Sequence, residues 1–137
     1  MKIVSACMAG IKCNYRGEAS PCKKVIELVK QGKAIPVCPE QLAGFLAPRE
    51  SAEIVNGKIL LKDGTDLTKE FQEGAKKALE IAQQNNCNEA ILQSRSPSCG
   101  SGKIYDGNFS GKLIDGDGVF AKLLKKNGIK VFTEKEI

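Results

Sequence analysis

The chain contains no histidine and no tryptophan. The missing histidine removes the usual general base and the usual nitrogen ligand for zinc or haem. Among its six cysteines there is no CxxC pair, the spacing that structural zinc sites favour. No apolar run approaches the ~20 residues of a bilayer span, so a transmembrane helix is excluded. The opening MKIVSACMAG is too short and too strand-like for a secretory signal, and polar sequence follows at once. Together these absences lead to the expectation of a cytoplasmic protein with no membrane partner.

What is present is ordinary in bulk and unusual in sulfur. A length of 137 residues suits one domain, 1–137, with enough chain for a real core. The hydrophobic fraction of 42% and charged fraction of 27% are those of a globular protein. The net charge of +5, from 21 Lys+Arg against 16 Asp+Glu, is spread along helices without a dense block. A solvated lysine-rich surface accounts for it, although it would also help a nucleotide or RNA approach. In a reducing compartment six cysteines are not expected to form structural disulfides. Inert burial, a catalytic thiolate or metal ligation remain, and position along the chain must decide.

Hydrophobic patterning predicts a β-α-β start. Lys2 to Ala6 reads as a strand, Ser20-Pro21 as the N-cap and first-turn proline of a helix, and KAIPVCPE as a second buried strand. In EIVNGKILL an Asn-Gly pair between apolar runs signals a hairpin. Thr68 is expected to cap a long helix reaching about Asn86, followed by a third strand in NEAILQS. The stretch QSRSPSCGSGKIYDG reads as an irregular Gly-rich loop before the helix GVFAKLLKKNG and the last strand IKVFTE. The expected fold is α/β: a three-layer, open, Rossmann-like sheet of about four parallel strands with a small hairpin insertion. Such sheets bind ligands beyond the carboxyl ends of their strands, where strand order reverses.

The cysteines sort themselves against that frame. Cys7 follows the first strand, Cys38 ends the second, and Cys99 sits in the loop after the third. Three segments thus bring a thiol to the edge where a ligand is expected. Cys13 lies in the first of these loops, whereas Cys22 and Cys87 fall on helix ends and read as small, partly buried residues. Two of the three thiol neighbourhoods are Gly, Pro and Ser loops, which offer a small hydrophobe little apolar company. Scattered thiolates without histidine suit a soft-ligand centre, best an iron–sulfur cluster. A four-iron cluster normally takes four cysteines, so three leave one iron open as a Lewis acid, and spacing alone leaves open whether Cys13 closes it.

Polar residues beside the thiols extend the reading. Glu40 follows Cys38 by two and should face the same crevice, where a carboxylate is the natural proton carrier in the absence of histidine. Ser96 and Ser98 flank Pro97 and offer hydroxyls to a ligand, and Gly100 and Gly102 let backbone N–H groups approach one. Ser98 and Gly100 are therefore substrate-side candidates.

The blocks SACMAGIKCNYRGE, PVCPEQLAGFLAPRESAE, DGTDLTKEFQEGA, SRSPSCGSGKIYDGNFSG and GDGVFAKLLKKNGI resemble, in order, those of the thiouracil desulfidase-like family, formerly a domain of unknown function. The resemblance covers nearly the whole chain. It implies a [4Fe-4S] cluster held by Cys7, Cys38 and Cys99, with Glu40 and Ser96 as the catalytic pair and Cys13 as a fourth thiol nearby. It implies removal of sulfur from thiouracil or a thiolated uridine, free or within tRNA, giving uracil or uridine and hydrogen sulfide without net redox change. Two departures bear on substrate choice: Arg16 stands where the family commonly has aspartate, and Met8-Ala9 where it has two leucines. Two other classes of protein would use the same features differently. One is a non-catalytic sulfur or cluster carrier, for which Glu40 is incidental, and the other a zinc module binding RNA.

Overall fold

A computed structural model describes residues 1–137. Four strands form a parallel sheet in the order β2-β1-β5-β8: β1 Lys2–Ser5, β2 Ala34–Val37, β5 Glu89–Leu92 and β8 Lys130–Thr133. Lys2 stands opposite Ala34 on one side and Glu89 on the other, and Glu89 opposite Lys130, so the strand ends are flush. Strand order reverses at β1, which sits between β2 and β5 as a central first strand requires.

The sheet is buried on both faces, and period-two alternation assigns each side chain to one of them. Ile3, Ala90 and Leu92 point into a core closed by α3 (Thr68–Gln84) and α4 (Val119–Lys126), through Ala78, Phe120 and Leu124. Val4 and Ile91 point the other way, against Val25 of α1 (Lys23–Lys30) and against Met8. Ile3, Phe120 and Leu124 are fully sealed, and each such side chain stabilises the fold by about 1.5–3 kcal/mol relative to exposure. No helix is long and apolar enough to cross a membrane.

Two hairpins stand apart from the sheet. The first, β3 Glu53–Val55 with β4 Lys58–Leu60, turns on Asn56 and Gly57, both at positive φ (50° and 79°), as the Asn-Gly pair predicts. It packs Ile59 under Phe71 of α3. The second pairs β6 Lys103–Tyr105, inside the stretch expected to be irregular, with β7 Leu113–Asp115, between that stretch and α4. Each of its strands is only three residues long and flanked by Gly, Ser and Asp, so the turn signals outweigh the strand signal.

Two helix starts also differ from expectation. α1 begins at Lys23, because the backbone of residues 20–22 is tied back to the first loop: Ser20 N–H donates to Cys7 O and Cys22 N–H to Met8 O, each at 2.9 Å. At α3 the side chain that caps is Asp66, which accepts the Thr68 N–H at 2.9 Å and the Thr68 hydroxyl at 2.6 Å. Thr68 Oγ1 instead accepts the Ile59 N–H and so ties the first hairpin to the helix.

Candidate thiol-lined active site

Each thiol-bearing loop has its own local cause. After β1 the chain enters a 3-10 turn, Ala6–Ala9, closed by Gly10 at φ 95°, which places Cys7 directly beyond the strand. Cys38 is the extended residue that links β2 to the single helical turn α2 (Pro39–Leu42), with Pro39 in its first-turn position. After β5, Arg95 takes a left-handed conformation (φ 69°) and the chain folds into a tight turn around Ser96. Ser96 Oγ accepts the N–H groups of Ser98 and Cys99, both at 3.1 Å, and Gly100 N–H donates to Ser96 O at 2.8 Å. This turn is fixed to the start of α4, where Phe120 and Ala121 N–H groups donate to Ser98 O. A Cβ at Gly118 would lie 2.5 Å from that carbonyl, so the close approach requires glycine there.

The three loops, with the segment carrying Cys13, meet at a cavity of about 800 Å³ lined by Cys7, Cys13, Cys38, Cys99, Glu40, Ser96 and Ser98. Cys22 and Cys87 do not reach it. The cavity thiols are better packed than their loops suggested: Cys99 belongs to the α3/α4 core, and Cys7 and Cys13 to the core on the α1 side. A glycine-rich loop supplies little apolar company of its own, but the sheet beneath it does.

Contact and burial favour the protonated form of three of these thiols, Cys13, Cys38 and Cys99. The Cys38 thiol donates to Cys13 O at 3.8 Å, and its titration is pushed far up by its contact with the Cys13 thiol and then by burial. Cys13 itself is pushed up to about 11; the contact with Cys38 lowers it, but the contact with Cys7 and burial outweigh that. Burial pushes Cys99 up to about 12, only partly offset by the Ser5 and Ser98 hydroxyls beside it. Any metal that takes these sulfurs as thiolates must therefore displace protons. No three of the chain's Cys, Asp and Glu side chains are gathered closely enough to hold a single metal ion. The soft donors lining the cavity are all sulfur, with no histidine among them, a set that suits a soft group of several atoms better than zinc.

Glu40 occupies the wall beside them. Ser98 Oγ lies 3.4 Å from Glu40 Oε2, 3.7 Å from Cys99 Sγ and 3.1 Å from Ser96 Oγ. Because Ser96 Oγ already accepts two N–H groups, its own proton is directed to Ser98 Oγ, which leaves the Ser98 proton for Glu40 or Cys99. Ser98, expected on the substrate side, is thus the serine that touches the carboxylate, and Ser96 reaches it one hydroxyl further back. Gly100, also expected on the substrate side, does not line the cavity. It is buried, its N–H is engaged within the turn, and a Cβ there would lie 2.6 Å from Ser96 O. Gly102 N–H donates to Asp117 Oδ1 at 2.8 Å and is likewise engaged elsewhere.

Several lining residues had no signal in the sequence. Tyr105 and Phe109 arrive with the second hairpin, whose loop is held by Glu53 Oε1 accepting the Gly107 and Phe109 N–H groups. Lys135 comes from the C-terminal end, beside Glu134, which accepts Ser94 N–H. Arg16, the departure from the family pattern that bears on substrate choice, does line the cavity, largely exposed, with its guanidinium 5.4 Å from the Tyr15 ring centre. Arg49 pairs with Glu40 at 3.4 Å from behind the cavity wall.

These features define a class: a Rossmann-like α/β domain with cysteine thiols and a carboxylate gathered at the carboxyl edge of its parallel sheet. Residues 3–136 match the 2-thiouracil desulfurase family, and the chain belongs to that family. It is 46% identical over 147 aligned positions to YbbK of Bacillus subtilis (strain 168), covering 100% of this chain and 97% of that protein. Its fold matches the solved structure of the [4Fe-4S]-dependent thiouracil desulfidase TudS with a TM-score of 0.94. The identity there is 37%, over 98% of this chain and 91% of that one.

Proposed function

We propose that this protein removes sulfur from thiouracil or a thiolated uridine, releasing uracil or uridine and hydrogen sulfide. Cys7, Cys38 and Cys99 are the thiols that would hold a [4Fe-4S] cluster, with Cys13 as an unligated neighbour. The observation that carries this reading is the meeting of thiols from three separate strand ends at one cavity that also presents Glu40. A cluster bound by three thiolates supplies an open iron, a Lewis acid suited to the soft sulfur of a thiocarbonyl.

The chain's own residues handle the water and the protons. Glu40 takes a proton from a water that attacks the carbon bearing sulfur and returns it to the sulfur, which leaves as hydrosulfide, while the second water proton departs from the new carbonyl oxygen and completes hydrogen sulfide. One water is consumed, one sulfide leaves, and no electron is gained or lost. Ser96 and Ser98 keep the carboxylate turned towards the cavity by the hydroxyl chain described above.

The test is anaerobic reconstitution followed by incubation with 2-thiouracil and, separately, 4-thiouridine. Uracil or uridine together with stoichiometric sulfide is expected, and neither product with either substrate would contradict the assignment. Glu40→Gln should keep the cluster absorbance while lowering turnover by about 100- to 10,000-fold. Sulfur release that survives this substitution would point to a carrier instead.

A further inference from the structure

We propose that Arg49 is a positioning residue that holds Glu40 Oε2 against Ser98 and so leaves Oε1 as the oxygen that exchanges the proton. This rests on Glu40 acting as the proton carrier.

Arg49 lies in the segment after α2, and its backbone N–H donates to Tyr15 O at 2.7 Å. Its side chain, 12% exposed, is clamped by carbonyls of two different loops: Nη1 donates to Leu46 O at 3.2 Å and Nη2 to Cys13 O at 3.0 Å. The same Nη2 lies 3.4 Å from Glu40 Oε2, and the Glu40 side chain is itself 17% exposed. A guanidinium is suited to this because its donors are fixed in one plane, whereas a lysine ammonium offers a single point of charge. Nε is buried without a partner, a cost the fold bears to keep the cation in place.

The arrangement makes the two carboxylate oxygens unequal. Oε2 has both the Ser98 hydroxyl and the Arg49 guanidinium beside it. Oε1 makes no hydrogen bond within the protein, yet it is not among the sealed unpartnered atoms, so it is open to accessible space. Arg49 does not line the large cavity. It lines a second one of about 170 Å³, with Phe45, Glu50, Leu67 and Phe71, and Glu40 forms part of the wall of both. The cation therefore stands behind the carboxylate, largely shielded from solvent, where its pull on Oε2 exceeds what it would be in water. From there it reaches the large cavity through the Glu40 carboxylate, while its other contacts there are to backbone carbonyls of the first loop, Cys13 O and Tyr15 O.

Arg49→Ala and Arg49→Lys in the reconstituted protein test the proposal. For Arg49→Ala we expect cluster absorbance as in wild type and kcat for 2-thiouracil lowered about 10- to 100-fold. KM should stay within about threefold, and added guanidinium should restore part of the rate. On a Glu40→Gln background the same substitution should cost less than about threefold, because the two residues act as one unit. A loss confined to KM, or one that multiplies fully with Glu40→Gln, would overturn the proposal. If Arg49→Ala does not fold, Arg49→Lys carries the kinetic test, with about a tenfold lower kcat expected and wild-type turnover as the contrary result. Crystal structures of metal-free wild type and Arg49→Ala read the claim without an assay. Glu40 should leave Ser98 in the variant, and an unmoved Glu40 would contradict the proposal. Absence of sulfide release by wild type would refute the proposed activity, while the crystal comparison still decides the hold of Arg49 on Glu40.

Discussion

Cys99 and Cys87 are shielded to the same degree, 6% and 7% exposed, and burial pushes both thiols up. Their company differs. Cys87 closes the end of α3 among apolar side chains of the main core. Cys99 touches that core too, but it also has the hydroxyls of Ser5 and Ser98 beside it and the Cys38 thiol and Glu40 carboxylate within range. Shielding alone therefore does not mark a functional thiol. What marks it is polar company that a merely structural thiol would not need.

Substitution should separate the pair most sharply. Cys99→Ala is expected to lose the cluster and, with it, at least about 1000-fold in turnover, measured by iron content and sulfide release. Cys87→Ala should keep both and lose about 1 kcal/mol of stability in urea unfolding. Equal loss of iron from the two variants would erase the distinction.

A smaller effect is expected from the support around Cys99. Ser96→Ala leaves the Ser98 and Cys99 N–H groups without their acceptor, which should cost about 1–3 kcal/mol and reduce iron content without abolishing it. Full iron content and unchanged stability would mean that the turn forms without its hydroxyl.

A further effect concerns pH. In metal-free protein, folding raises Cys99 from 9.0 to about 12 and Cys13 from 9.0 to about 11. The folded state keeps these protons where the unfolded chain has lost them. Their contribution is fully present below pH 9 and disappears as pH rises through the folded values, so stability should fall between about pH 9 and 12. Loading the site removes the Cys99 share of this loss, because a ligating sulfur is already a thiolate. A metal-free stability that is flat across this range would contradict the burial of Cys99.

Much of this was legible in the chain. Each of the four sheet strands carries at least two consecutive apolar residues, which fill the two faces of a sheet buried on both sides, and Asn56-Gly57 announces its hairpin. The offset of two between Cys38 and Glu40 correctly put the carboxylate on the thiol-lined wall. The second hairpin was hidden because Lys103–Tyr105 and Leu113–Asp115 are too short to show alternation against their glycines. Arg49 was hidden for a different reason: its partner Cys13 is 36 residues away, and no local pattern records a contact made through tertiary folding. Gly100 misled because glycine serves close approach of backbone to backbone as readily as of backbone to ligand.

The central claim is that three of the four cavity thiols hold the cluster while Cys13 stands beside it. Iron and acid-labile sulfide counted per chain in anaerobically reconstituted Cys13→Ala test it most directly. The account predicts four of each, as in wild type, with desulfurating activity retained. Loss of the cluster from Cys13→Ala, with retention in any one of Cys7→Ala, Cys38→Ala or Cys99→Ala, would contradict it.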